Sequence, residues 1–270
     1  MAGRDLLVCD LDGTLVDKSL VLDPALVEAF HRASERGLLI ALATGRMPAG
    51  AERYRDELRI GAPSIYYNGA LVRDHEGGRD LLALSLPRGL LRRTYEIFAN
   101  APVHPLFYRD DKLFCLEQTF PVREYGDTQG LTVEPILDPD QFLAMGAFVK
   151  SLFIGHPQTL PLLRSEMEMA AGPDARLVMT RSDYLEMIPA AASKGVALRH
   201  LCEHLGVPLE RTIAVGDQEN DLEMIEAAGL GVAMPSAPDG VRARADRVAP
   251  AAREGGLLAL FRELMPSYFA

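Results

Sequence analysis

The sequence predicts an α/β fold in which a core built on a parallel sheet is interrupted by an inserted α+β domain. Three observations carry that expectation: short apolar runs alternate with helical patterns near the N-terminus, the same rhythm returns after Lys194, and the stretch between them holds longer, more alternating strands. Residues 1–84 and 189–270 are read as the core and 85–188 as the insert.

Leu6-Leu7-Val8-Cys9 is a continuous apolar run closed by Asp10, as expected of a strand buried on both faces of a parallel sheet. Asp23 to Arg36 follows helical spacing, with Asp23 placed to cap, Pro24 at the first helical position and Gly37 just past the end. Leu38 to Ala43 is the next strand, Ala49 to Leu58 the next helix, and Ser64 to Tyr67 a third strand before Asn68-Gly69. Strand, helix, strand, helix, strand points to right-handed βαβ connections.

In the insert, strands are predicted at His104–Tyr108, Lys112–Leu116, Leu131–Glu134, Phe148–Ile154, Ala175–Thr180 and Tyr184–Ile188, with helices at Arg88–Ala99 and Leu160–Ala171. Asp110-Asp111 separates two of these strands by a hairpin-like turn, so an antiparallel sheet with helices on one face is expected. The core then resumes. Helices are read at Lys194–Leu205, Leu222–Ala228 and Gly255–Leu264, and strands at Thr212–Val215 and Gly231–Met234.

Composition narrows the function classes. With 48% hydrophobic and 24% charged residues over 270, the chain is neither disordered nor collagenous, nor built from membrane-spanning helices. Lys and Arg number 28 against 38 Asp and Glu, a net charge of −10, which disfavours nucleic acid and anionic membranes as partners. Three widely spaced cysteines, Cys9, Cys115 and Cys202, suit reduced thiols and a cytoplasmic protein. The Leu6–Cys9 run is too short for a signal peptide or a spanning helix.

Ligands of open parallel sheets bind beyond the carboxyl ends of the strands, so the residues after each apolar run matter most. They are Asp10-Leu11-Asp12-Gly13-Thr14, Thr44-Gly45-Arg46 and Gly216-Asp217-Gln218-Glu219-Asn220-Asp221, joined by Ser193-Lys194-Gly195 at a helix start. Asp10, Asp12, Asp217 and Asp221 at one sheet edge would repel one another unless protonated or bridged by a divalent ion. An all-oxygen set calls for a hard cation such as Mg2+. Thr44, the backbone N–H groups of the turns at Gly45 and its like, and Lys194 can bind phosphate oxygens. Asp10 and Asp12 start on the same side of the chain, so one can attack phosphorus while the other handles protons.

These four segments resemble, in order, the motifs of the haloacid dehalogenase (HAD) superfamily. The insert between the second and third resembles the cap of its Cof-type, class IIB branch. The resemblance implies a Rossmann-like core and a phosphatase acting on a small phosphorylated metabolite, such as a sugar phosphate or a phosphorylated cofactor. It further implies that Asp10 is nucleophile and Mg2+ ligand, and that Asp12 is general acid/base and binds the ion through its backbone carbonyl. Thr44 and Lys194 would bind the transferring phosphoryl group, Asp217 would complete the metal site, and Asn220 and Asp221 would support it. Gly45, Arg46 and Asn220 are read beside them as contacts to the substrate or its phosphate. Asn68-Gly69-Ala70 matches a turn common in that branch, on the side facing its cap, whereas Pro235-Ser236 stands where the family often has Gly-Asn.

Two other readings use the same residues. A phosphomutase would return the phosphoryl group to a sugar instead of to water, and a non-enzymatic module phosphorylated on aspartate would signal rather than turn over. Asp12 and the insert are superfluous to the second. His200 and His204 have helical i, i+4 spacing, but with no third ligand nearby they read as a polar helix face.

Overall fold

The computed structural model describes residues 5–144, 147–251 and 256–270. They fall into two compact units: the described residues of 1–46, 51–83 and 193–270 form one, and those of 47–50 and 84–192 the other.

The first unit begins with β1 (Leu6–Cys9), α1 (Pro24–Glu35), β2 (Leu39–Leu42), α2 (Pro48–Glu57, of which residues 51–57 belong to this unit) and β3 (Ser64–Tyr66). The Asp23 carboxylate accepts the Ala25 N–H at 2.8 Å, and α1 buries Leu26, Ala29, Phe30 and Ala33, an i, i+3, i+4, i+7 stripe. β3 departs from the expected βαβ series. It meets the β2 end through a parallel bridge between Ala43 and Ile65 and a bond from the Leu42 N–H to the Ser64 hydroxyl, and its ladder is formed in a three-stranded antiparallel sheet with β4 (Leu71–Asp74) and β5 (Arg79–Ala83).

The second unit runs α3 (Leu90–Ala99), β6 (Val103–Arg109), β7 (Lys112–Cys115), α4 (Phe120–Gln129), β8 (Val133–Pro135), α5 (Pro139–Ala144), β9 (Lys150–Gly155), α6 (Leu160–Ala171), β10 (Ala175–Arg181) and β11 (Tyr184–Pro189). Its sheet has the order β10-β11-β9-β6-β7-β8, antiparallel except for the parallel pair β7 and β8. That exception follows from α4, which carries the chain back between those two strands. Asp110 and Asp111 both take positive φ, 50° and 54°, the geometry of a two-residue turn between β6 and β7. Alternate residues of the strands, among them Phe107, Phe153, Leu185 and Met187, form one core with Leu90 and Phe98 of α3 and Leu163 and Met167 of α6.

The chain then completes the first unit with α7 (Lys194–Leu205), β12 (Thr212–Gly216), α8 (Leu222–Ala227), β13 (Leu230–Ala233), α9 (Asp239–Arg242), β14 (Arg247–Val248), α10 (Gly256–Leu264) and α11 (Pro266–Phe269). Gly255, expected to open the closing helix, lies outside the described residues. The five-stranded sheet has the order β14-β13-β12-β1-β2, every pair parallel. β1 is inside the sheet, with β2 on one side and β12 on the other. The strand order reverses there, so the crevice beyond the carboxyl end of β1 is where an open α/β sheet accepts a ligand.

Candidate active site

The candidate side chains of the first, second and fourth segments stand just past buried strands, and Lys194 stands at a helix start. The Asp10 N–H donates to the Val215 carbonyl at 2.9 Å, which continues the β1–β12 ladder one residue beyond β1 and sets Asp10 against β12. Gly13 has φ of +91°, and a Cβ there would overlap the Asp217 carboxylate. Only glycine lets the first loop approach the fourth this closely. Thr14 closes the junction, its hydroxyl donating to Asp217 at 3.3 Å.

Lys194 enters as the first residue of α7, whose N-cap, Ser193, accepts the Val196 N–H at 3.1 Å. Its side chain is fully buried, and Nζ donates to Asp10 at 2.6 Å and to Asp221 at 2.5 Å. The second oxygen of Asp221 accepts the N–H groups of Asp217 and Gln218, both at 2.9 Å. Asp221 thus shapes the fourth loop and orients Lys194 at once. Asp217 also accepts a 2.8 Å bond from the Gln218 amide.

The second loop is held from β3. The Thr44 N–H donates to the Ile65 carbonyl at 2.9 Å, and the Thr44 hydroxyl accepts the Arg46 N–H at 3.1 Å, which leaves its proton to donate. The guanidinium of Arg46, expected to face substrate, forms a two-point pair with Asp12: Nε at 2.7 Å and Nη2 at 2.5 Å.

Asn68 is a residue whose part in the site the motifs alone did not reveal. With Tyr67 it takes the left-handed conformation, φ 50° and 55°, in the turn Tyr67–Gly69. Its N–H donates to the Thr44 carbonyl at 3.1 Å, and its side-chain oxygen accepts the Asn220 amide at 2.9 Å. At Gly69, φ +96°, a Cβ would overlap the Ser193 carbonyl. One turn therefore touches the second loop, the start of α7 and the fourth loop. Its sequence signal was the Asn-Gly pair, which announces a turn but not what the turn holds together.

The electrostatics are uneven. Burial raises the pKa of Asp10 well above the ordinary carboxylate value; Lys194 pulls it down, while Asp221, Asp217 and Asp12 push it up. Asp217 is raised by burial and by Asp221. Burial alone would favour loss of the Lys194 proton, but Asp10 and Asp221 outweigh it and hold the ammonium more firmly than usual. Three buried carboxylates thus share one buried ammonium.

That imbalance tests the site for a metal. Asp10, Asp217 and Asp221 each offer an oxygen, all within 4.8 Å of one another. The donors are oxygens only, the negative charge exceeds the positive, and the buried side-chain oxygen of Asn220 has no hydrogen-bond partner. A hard divalent cation fits such a set, and Mg2+ keeps coordination positions for substrate phosphate. The Asp12 carboxylate stands apart from this group, on Arg46.

A parallel sheet with a buried carboxylate after its inner strand, bonded to a buried lysine and clustered with two further carboxylates, points to a class: enzymes that transfer phosphoryl groups through an acidic centre. Comparison with known proteins agrees. Residues 7–261 match the haloacid dehalogenase-like hydrolase family. The 5-amino-6-(5-phospho-D-ribitylamino)uracil phosphatase YitU of Bacillus subtilis is 28% identical over 267 residues, covering 96% of each chain. The HMP-PP phosphatase of Yersinia pestis (strain Pestoides F) is 30% identical over 232 residues, 84% of this chain and 82% of that one. Endoribonuclease YBEY, chloroplastic, from Arabidopsis thaliana is 28% identical over 266 residues, 88% of this chain, which spans 42% of that longer protein. Among solved structures, a haloacid dehalogenase-like hydrolase from Bacteroides thetaiotaomicron superposes with a TM-score of 0.88 at 26% identity, covering 97% of this chain and all of that one. The chain belongs to the haloacid dehalogenase-like hydrolases, in their Cof-type branch. It is an enzyme, a phosphoric monoester hydrolase.

Proposed function

We propose that this chain is a Mg2+-dependent phosphatase that hydrolyses a small phosphorylated metabolite, a sugar phosphate or a phosphorylated cofactor, through an aspartyl-phosphate on Asp10. The observation that carries the proposal is the buried Asp10 carboxylate at the end of β1, bonded to Lys194 and clustered with Asp217, while Asp12 two residues on stays outside the cluster.

Asp10, Asp217 and Asp221, with the backbone carbonyl of Asp12, would hold the cation, which supplies charge neutralisation for phosphate oxygens. Asp10 attacks phosphorus. Lys194 and the Thr44 hydroxyl hold the transferring group, joined by backbone N–H groups at Gly45, while Asn220 supports the edge of the site. Asp12 gives a proton to the departing alkoxide and later takes one from the water that opens the acyl phosphate. The choice among leaving groups is assigned to the inserted unit.

The names of two relatives, a 5-amino-6-(5-phospho-D-ribitylamino)uracil phosphatase and an HMP-PP phosphatase, support a small-molecule substrate. Among the described residues, no helix is long and apolar enough to cross a membrane. Three buried free cysteines support a cytoplasmic location. The test is steady release of inorganic phosphate from p-nitrophenyl phosphate and a panel of sugar and cofactor phosphates, dependent on Mg2+ and abolished by chelator. A product in which the phosphoryl group stays on sugar would contradict hydrolysis.

A further inference from the structure

As general acid/base, Asp12 has to present its carboxylate to the leaving group and keep it off the cation. Its side chain is 46% exposed on a loop, and a cation held by Asp10, Asp217 and Asp221 would attract its carboxylate. Arg46 is its opposite. That side chain is 5% exposed, its guanidinium carbon lies 5.1 Å from the centre of the Tyr54 ring, its N–H is held by Thr44 and its carbonyl by the Tyr67 N–H at 3.0 Å. Tyr54 is itself anchored, its hydroxyl donating to the Leu20 carbonyl at 3.2 Å. The fork of a buried arginine therefore meets both oxygens of a half-exposed aspartate, and a two-point pair fixes the plane of the carboxylate as well as its position.

We infer that Arg46 is a positioning residue for proton transfer: it sets the orientation of the Asp12 carboxylate and keeps it out of the Asp10, Asp217 and Asp221 cluster. The inference rests on the reading of Asp12 as general acid/base. It moves Arg46 from the substrate to the proton donor. Lysine cannot replace it, since a single ammonium fixes no plane.

Leaving groups separate this role from a merely structural one. An alkoxide needs its proton as the O–P bond breaks, whereas p-nitrophenolate departs without one, and general acid catalysis is worth about 10²–10⁴-fold where it is needed. The quantity to measure is kcat/KM for p-nitrophenyl phosphate divided by kcat/KM for an alkyl phosphate such as glycerol 2-phosphate. Any loss of folded enzyme cancels in that ratio. Asp12→Asn is expected to raise it about 100-fold or more. Arg46→Gln and Arg46→Lys are each expected to raise it about tenfold, and Arg46→Gln is expected to add nothing in the Asp12→Asn background.

A ratio unchanged in both Arg46 variants, with the two substrates slowed alike, would overturn the inference while leaving Asp12 in its role. A rise that persists in the Asp12→Asn background would also overturn it, since Arg46 would then act on the substrate directly. A wild-type ratio in Asp12→Asn itself would remove the acid/base reading, and the inference with it.

Discussion

Each unit of this protein buries a lysine, and the two lysines are not alike. Lys150, on β9 of the insert, is 1% exposed; it donates to Glu186 of β11 at 2.9 Å and stacks 4.6 Å from the ring of Tyr108. Lys194, at the start of α7, is completely buried and reaches Asp10 and Asp221, with Asp217 in the same cluster. At Lys150 a positive charge meets a negative one across neighbouring strands. At Lys194 the carboxylates outnumber the ammonium. A matched pair holds a sheet together, whereas an unmatched cluster of carboxylates calls for a proton or a bound cation, and that is what distinguishes a site from a strut.

The sharpest way to break this comparison is to remove one negative charge from the unmatched cluster. Asp10→Asn is expected to lower turnover by about 10⁴-fold or more, as loss of a nucleophile does. Its stability is expected to move the other way. The folded-state pKa of Asp10 is raised, so ionised Asp10 costs stability at neutral pH. In chelator, thermal unfolding of Asp10→Asn should therefore occur at or above the wild-type temperature.

The lysines themselves come next. Lys194→Met and Lys150→Met each remove the charge opposite a buried carboxylate and are expected to destabilise by about 3–5 kcal/mol in urea titrations. The remedies differ. The double variant Lys150→Met, Glu186→Met should recover most of its loss, because a matched pair is replaceable by apolar packing. No apolar partner substitution should restore turnover to Lys194→Met.

Cation binding sharpens the same contrast at smaller scale. Mg2+ at about 100 times its Kd should stabilise the wild-type chain by about 2.7 kcal/mol, and chelator should reverse the effect. Asp217→Asn is expected to lose most of that gain, while the Lys150 and Glu186 double variant keeps it.

The smallest expected effect concerns His75, whose ring nitrogen lies 2.7 Å from the Tyr66 hydroxyl in the three-stranded sheet. Burial, then Arg55 and Arg73, lower its pKa below the usual 6.5. The folded chain thus binds fewer protons than the unfolded one just below pH 6.5, and stability falls as acid is added through that window. His75→Gln should flatten the acid limb of a stability-against-pH curve slightly.

Much of the core was legible because its signals are local. The Leu6–Cys9 run is buried throughout, and α7 spans Lys194–Leu205 as its sequence pattern indicates, between the caps Ser193 and Gly206. Elements with weaker local signals escaped. α4 carries Pro121 in its first turn and Gly126 in its middle, both poor helix formers, and β4 and β5 look polar because Arg73 and Asp80 pair across the strands at 2.6 Å. The parallel pairing of β7 and β8 depended on seeing α4.

The same division holds at the candidate site. Three of the four segments stood out because polar clusters follow apolar strands, and the fourth because it opens a helix; both signals depend on neighbours in sequence. The pairing of Arg46 with Asp12 joins residues 34 apart, and that of Asn220 with Asn68 residues 152 apart. Neither has a periodicity to betray it. The first exists only once β1 and β2 lie side by side, and the second only once the turn after β3 meets the loop after β12.

The central claim is that Asp10 carries the phosphoryl group between substrate and water. Its most direct test is mass spectrometry of the Asp12→Asn variant mixed with p-nitrophenyl phosphate and Mg2+, then quenched in acid. One phosphoryl group is expected on the peptide that contains Asp10, and none when Asp10 is also changed to Asn. A phosphoryl group on any other residue, or full-rate phosphate release from the Asp10→Asn chain, would contradict it.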